Sequence, residues 1–159
     1  MPKKVTIEQF IKAVESNKHD LAIEQFYTDD ASIQENQNPP RVGKAFLVEN
    51  EARTFAKAKS VSSKCIRPYF ISGNTVVIRW YFRFEWKNET HSEIEEIAYQ
   101  EWQGELVHKE QLFFISHFSI YPKVGALSSA RHNLASDIRR TDIRFTHSPI
   151  LYPFDTHSI

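Results

Sequence analysis

The sequence predicts an α+β domain in which three N-terminal helices precede a curved, mainly antiparallel sheet. Three observations carry this expectation. Residues 1–59 contain three stretches with helical apolar spacing. From Val61 onward, apolar and polar residues alternate with the period of a strand. The strand-like runs are separated by short turn sequences, Gly73-Asn74, Lys87-Asn88-Glu89-Thr90 and Gly104-Glu105, which join neighbours as hairpins.

The first helix begins near Thr6, which forms a capping-box pattern with Gln9, and runs to about Ser16. Ile7, Phe10, Ile11 and Val14 lie along one face of it. Asn17-Lys18-His19-Asp20 reads as a turn, with Asp20 as N-cap of a short helix from Leu21 to about Tyr27. Asp29-Asp30 ends that helix, and Ala31 to Gln37 is extended. Asn38-Pro39-Pro40-Arg41-Val42-Gly43 is a loop, because consecutive prolines and a glycine exclude regular structure. The third helix spans Lys44 to Lys59, with Val48, Ala52, Phe55, Ala56 and Lys59 on one face and Asn50, Arg53 and Lys57 elsewhere.

Four strands follow: Val61–Ser72, Thr75–Trp86, Ser92–Gln103 and Leu106–His117. In the second of these, Val76, Ile78, Trp80, Phe82, Phe84 and Trp86 share one face, while Val77, Arg79, Tyr81, Arg83 and Glu85 share the other. A single curved sheet wrapped over the helices would bury the aromatic face. Residues 1–120 make up this domain. Residues 121–159 differ in character, with scattered apolar groups, no sustained periodicity and a possible short helix from Leu127 to Ile138. They read as a flexible or partner-docking extension.

Composition narrows the functional classes. With 41% hydrophobic and 13% aromatic residues, a chain of 159 residues can bury one substantial core. Lys+Arg and Asp+Glu balance at 20 each, so no basic excess points to nucleic acid. Arg79-Trp80-Tyr81-Phe82-Arg83 interleaves charge with rings, but on a strand the arginines face away from Trp80 and Phe82, which fits a dimerisation face better than base stacking. Four glycines provide neither a dinucleotide fingerprint nor a phosphate-binding loop. The lone Cys65 reads as a small buried hydrophobe. The seven histidines form no metal-binding pair at helical or strand spacing, so neither a metal nor a cofactor is expected. Met1-Pro2-Lys3-Lys4-Val5 lacks the apolar run of a signal peptide, and no stretch is long and apolar enough to span a membrane, so the expectation is a soluble cytoplasmic protein.

Two glutamates stand out at positions that otherwise read as the wall of an apolar cavity: Glu35 on the first strand, and Glu96, which shares a face with Ile94, Ala98, Gln100 and Trp102. A carboxylate held there is costly unless paired, hydrogen-bonded or neutralised, and its pKa shifts accordingly. Other readings stay open at this level. Glu35 could face solvent at the cavity mouth, Glu96 could pair with a buried Arg or His, and a one-residue slip would exchange Glu96 with Glu95.

The succession of helix, short helix ending Phe26-Tyr27-Thr28-Asp29-Asp30-Ala31, strand, Pro-Pro-Arg-Val-Gly loop, long helix, and hairpin ending Glu101-Trp102-Gln103-Gly104-Glu105-Leu106-Val107 resembles the nuclear transport factor two-like superfamily. It is closest to the SnoaL-like branch, with ketosteroid isomerase among its relatives. The resemblance covers roughly residues 5–118. It implies a cone with a deep apolar pocket and a homodimer formed through the open sheet face, here Arg79, Tyr81, Arg83 and Tyr99. It also implies a general base at Glu35 and a protonated oxyanion donor at Glu96. The tyrosine of that site falls on Phe10, which has no hydroxyl, so the oxyanion hole would lack one donor. Phe10, Trp80, Phe82, Trp102 and Phe113 are the expected ligand walls.

Two functions follow from the resemblance. One is a pocket protein that binds a small hydrophobic ligand. The other is an isomerase or cyclase that transfers protons on a small hydrophobic carbonyl compound. A third, epoxide hydrolysis, would use Arg83-Phe84-Glu85 with Gln111 or Glu110, although alternation places Arg83 and Glu85 on the outer face.

Overall fold

The computed structural model describes residues 1–116. The expected extension over residues 121–159, the helix at Leu127–Ile138 and the domain boundary near residue 120 lie outside the described residues.

Helix α1 spans Lys4–Glu15 and α2 spans His19–Phe26. Strands β1 (Tyr27–Glu35) and β2 (Arg41–Val42) precede α3 (Lys44–Lys57). The hairpin strands are β3 (Ala58–Ser72), β4 (Thr75–Trp86), β5 (His91–Gln103) and β6 (Leu106–Ser116). The described strands form one open, mixed sheet in the order β2-β1-β6-β5-β4-β3, with β1 parallel to β6 and every other pair antiparallel. Three helices on a curved sheet are the expected α+β cone. No described helix is long and apolar enough to cross a membrane.

Helix α1 begins at Lys4, and Thr6 and Gln9 form no capping box. The cap comes from a distant carboxylate. Lys3 N–H donates to Glu105 Oε2 at 3.1 Å, and the Thr6 side chain also hydrogen-bonds this carboxylate. Glu105 sits in the β5–β6 turn, where Gly104 takes the positive φ of 62° that the hairpin requires. A negative charge at the first turn of α1 also complements the helix dipole.

Helix α2 starts at His19, with Lys18 rather than Asp20 at the cap position. The His19 ring is buried and hydrogen-bonded at both nitrogens, which fixes the first turn from the side. The expected loop at residues 38–43 contains a short strand. Arg41 and Val42 pair with Ile33 and Ser32 of β1, and Gly43 N–H donates to Ala31 O at 2.8 Å. This pairing brings Arg41 beside the end of β1.

Helix α3 ends at Lys57 and buries a different face from the expected one. Leu47, Asn50 and Thr54 are buried, whereas Ala52 and Ala56 are exposed and Lys59 belongs to β3. The Thr54 hydroxyl donates to Asn50 O, four residues back, so that hydroxyl enters the interior already satisfied.

The core lies between the helices and the inner sheet face. Phe10 is at its centre, with ring centroids 5.7 Å from Phe26, 6.1 Å from Tyr27, 6.4 Å from Trp80 and 5.9 Å from Trp102. Three of these contacts are edge-on, the arrangement that ring quadrupoles favour.

Candidate functional site

On β5, alternation puts Ile94, Glu96, Ala98, Gln100 and Trp102 inside, all buried. Glu95 points out and pairs with Arg79. The register is therefore the one in which Glu96 is the interior carboxyl. Its cross-strand partner on β4 is Trp80, and its partner on β6 is Phe114. Glu96 is 6% exposed, and no described residue hydrogen-bonds it. Burial pushes its pKa well above the carboxylate range, and the charges of Glu110, Glu35 and Glu51 push it further. The shift favours the neutral acid, the form of Glu96 that has an O–H to donate.

Glu110 is a second buried carboxyl, and strand alternation alone misplaces it. Val107 faces inward, and continued alternation would send Phe113 inward as well. Instead the ladder shifts between Glu101↔Lys109 and Trp102↔Val107. One extra residue in a strand reverses the facing of everything beyond it. Glu110 therefore turns inward, and Phe113 turns outward opposite Ile97 with 44% exposure. The expected ligand wall at Phe113 is corrected on this ground.

Tyr27 Oη donates to Glu110 Oε2 at 2.6 Å. Gln100 Nε2 donates to Glu110 Oε1 at 2.6 Å, and Trp102 Nε1 donates to Gln100 Oε1 at 3.1 Å. Burial raises the pKa of Glu110, while the Tyr27 and Gln100 hydrogen bonds oppose that rise. The Tyr27 hydroxyl is held well above its ordinary range, first by burial and then by the Glu110 charge. The hydroxyl absent at Phe10 is thus present nearby, but it is directed at Glu110.

Glu35, the last residue of β1, faces the interior and not the solvent. Arg41 from β2 donates to its Oε1 at 2.5 Å. Glu35 and Glu96 flank β6, opposite Leu112 and Phe114 respectively, and the Glu35 charge acts on Glu96. The structure thus brings the two sequence-selected carboxyls to one interior.

A third polar unit borders the same space. His19 Nδ1 lies 3.1 Å from Glu51 Oε1, and His19 Nε2 lies 2.7 Å from Ser63 Oγ. The His19 ring packs edge-on against Phe55 and Phe82. Nothing in the local sequence marks this unit, because its members come from α2, α3 and β3.

Phe10, Trp80, Phe82 and Trp102 all lie inside, with Trp80 and Phe82 stacked at 5.8 Å between centroids. Arg83 lies on the outer face, where it bonds Glu85 and Glu93, so neither charged group of Arg83-Phe84-Glu85 enters the interior. Cys65 is buried, and burial pushes its thiol up, away from nucleophile behaviour. Among the described residues no three His, Cys, Asp or Glu side chains converge closely enough to hold a metal ion.

No protein-family model matches the sequence, and no curated protein matches it. Solved structures do. The chain is similar to an LEH-like epoxide hydrolase from M. tuberculosis (TM-score 0.58, 13% identity, covering 69% of this chain and 80% of that one). It is similar to a hypothetical protein of ketosteroid isomerase-like fold from Catenulispora acidiphila, solved with trimethylamine (TM-score 0.58, 15% identity, 70% and 85%). It is also similar to a candidate SnoaL-like polyketide cyclase from Jannaschia sp. CCS1 (TM-score 0.60, 8% identity, 72% and 88%). At these identities the likeness is one of fold. Residues 1–116 have the cone-shaped α+β fold of the nuclear transport factor two-like type.

Proposed function

We propose that the interior of the cone binds a small, largely apolar molecule through one hydrogen-bond acceptor, and that Glu96 is the donor. One observation carries this reading: Glu96 is a buried acid with no hydrogen-bond partner among the described residues, surrounded by aromatic side chains. A protonated carboxyl without a partner costs about 1–3 kcal/mol, and a ligand acceptor removes that cost. Phe10, Trp80, Phe82 and Trp102 form the apolar walls. Isosteric benzenes test the reading. Acetophenone, which carries a carbonyl, should bind more tightly than isopropylbenzene, which has a methyl in place of the oxygen, with the quenching of tryptophan fluorescence as the readout. Glu96→Gln should keep the preference, because an amide still donates. Glu96→Leu should erase it. Equal affinities for the two compounds in the wild type would contradict the reading.

The second reading is proton transfer, as in an isomerase or cyclase. It is favoured by the charge of Glu35 acting on Glu96 from across β6 and by the candidate cyclase and ketosteroid isomerase-like folds among the structural neighbours. Glu35 would take a proton beside a carbonyl while Glu96 donates to the developing oxyanion. Exchange of the acetophenone methyl protons in D2O, followed by NMR, tests it directly. Catalysed exchange that Glu35→Gln abolishes supports this reading; exchange at the buffer rate rejects it.

The exposed sheet face is the proposed homodimer surface. Arg79, Tyr81, Arg83 and Tyr99 mix rings with charge there, and Phe113 and Ile115 add exposed apolar area.

A further inference from the structure

Glu51, His19 and Ser63 come from α3, α2 and β3 and meet in a fixed order: carboxylate, imidazole, hydroxyl. Glu51 Oε1 lies 3.1 Å from His19 Nδ1, and Ser63 Oγ lies 2.7 Å from His19 Nε2. A carboxylate only accepts, so Nδ1 carries the ring proton and Nε2 is left to accept from the Ser63 hydroxyl. That is the tautomer in which an imidazole takes a proton from a serine. Phe55 and Phe82 pack edge-on against the ring and hold its plane. No other described residue hydrogen-bonds Ser63 Oγ, so its lone pairs are open to an electrophile. The strand supplies a donor beside it. β3 is the last strand on its side of the sheet, and Cys65 N–H donates to Glu15 Oε1 at 2.9 Å, away from β4. The β3–β4 register is unbroken from Ser60 to Ile66, and residues two apart on a strand direct their N–H groups the same way. Ser63 N–H therefore also points off the sheet edge. A nucleophile's own N–H is one of the donors that stabilise the oxyanion in acyl transfer.

We propose that Ser63, His19 and Glu51 form an acyl-transfer centre that hydrolyses esters of small acyl groups. Ser63 is the nucleophile, His19 the general base and acid, and Glu51 the residue that positions His19. Ser63 Oγ attacks the ester carbonyl carbon and passes its proton to His19 Nε2, while the carbonyl π pair moves to the oxygen. When that pair returns, the C–O bond to the alcohol breaks, and the alcohol leaves with the proton from Nε2. Water then attacks the acyl-serine and gives a proton to Nε2. The acid departs as Ser63 Oγ recovers that proton. Ser63 and His19 are only 9% and 8% exposed, which restricts the acyl group to a small one. The Glu51 side chain, 25% exposed, marks the side on which the unit meets solvent. The centre does not use Glu96, so it stands or falls apart from the ligand site.

The test uses the full chain and methanesulfonyl fluoride, a small reagent that forms an S–O bond to an activated serine with loss of fluoride. Peptide mass spectrometry locates the adduct. The expected result is a single methanesulfonyl group per chain, on Ser63. His19→Gln should slow the labelling by about 10²–10⁴-fold, the ordinary worth of a general base, with circular dichroism as the check on folding. The wild type should also hydrolyse p-nitrophenyl acetate with an initial burst of p-nitrophenolate, the mark of an acyl-enzyme. Glu51→Gln should lower kcat for this ester at least about tenfold and leave KM nearly unchanged, the split expected of a residue that acts through His19 and not on the substrate. A wild-type chain that takes no label on Ser63 would overturn the proposal. So would a Ser63 adduct that forms equally fast in folded His19→Gln. The wild-type map decides even where a variant does not fold.

Discussion

Trp80 and Glu96 are direct cross-strand partners on the inner face of the sheet, 2% and 6% exposed respectively. The pairing puts a carboxyl against an indole, with Phe10 packed edge-on to the same indole at 6.4 Å. Most of what distinguishes this interior from an ordinary apolar core follows from that placement, and it has measurable consequences.

Stability should fall as pH rises. Glu96 and Glu110 both have raised pKa values in the folded chain, so the fold holds protons that the unfolded chain releases. Their contribution is complete below the unfolded value near 4.5 and is lost as pH climbs through the raised folded values. Urea unfolding of the wild type should give a higher midpoint at pH 5 than at pH 8. Glu96→Gln should flatten that dependence, because one of the two proton-binding groups is gone. A wild-type midpoint that rises over this range would contradict the assignment.

Removing the Tyr27 hydroxyl should destabilise the fold. Its hydrogen bond to Glu110 is buried and 2.6 Å long, and Tyr27→Phe leaves Glu110 with only Gln100. The expected loss is about 1.5–3 kcal/mol. A loss below about 0.5 kcal/mol, by chemical denaturation at pH 7, would mean that the hydroxyl is satisfied elsewhere.

Which parts of this were legible beforehand depends on the range of the signal. Glu96 was legible because twelve regular residues of β4 and the matching run of β5 leave one possible facing, and the Glu95–Arg79 pair outside agrees with it. Glu110 and Phe113 were not, because a bulge near His108 reverses the facing of β6 and no residue in that run announces it. The inner face of α3 was misread for a related reason. Thr54 is buried with its hydroxyl satisfied by the Asn50 main-chain carbonyl, which an apolar pattern does not register. Glu105 as the cap of α1, and His19 between Glu51 and Ser63, are contacts between residues far apart in sequence, beyond the reach of any local motif.

Arg41 should be more costly to lose alone than together with its partner. Arg41→Leu strands the buried Glu35 carboxylate; Arg41 keeps 25% side-chain exposure, so the expected loss is about 2–3 kcal/mol, below the roughly 3–5 of a fully buried pair. Adding Glu35→Leu should recover most of it. A double variant as unstable as the sum of the two singles would show that they do not act as a pair.

The protein should be a dimer whose interface includes Tyr99, which is 41% exposed on the outer face, where Phe113 and Ile115 are exposed as well. Tyr99→Glu should shift light-scattering mass toward the monomer at micromolar concentration, since like charges would meet across a two-fold contact. A wild-type monomer at that concentration would remove the proposal.

The state of Glu96 is the point on which the ligand reading turns, and carboxyl NMR titration of glutamate side chains, assigned by comparison with Glu96→Gln, measures it. The expected result is one glutamate signal that titrates well above 4.5 and disappears in the variant. A Glu96 signal that titrates at the ordinary glutamate value would mean that the carboxyl is solvated or paired, and the interior donor would not exist.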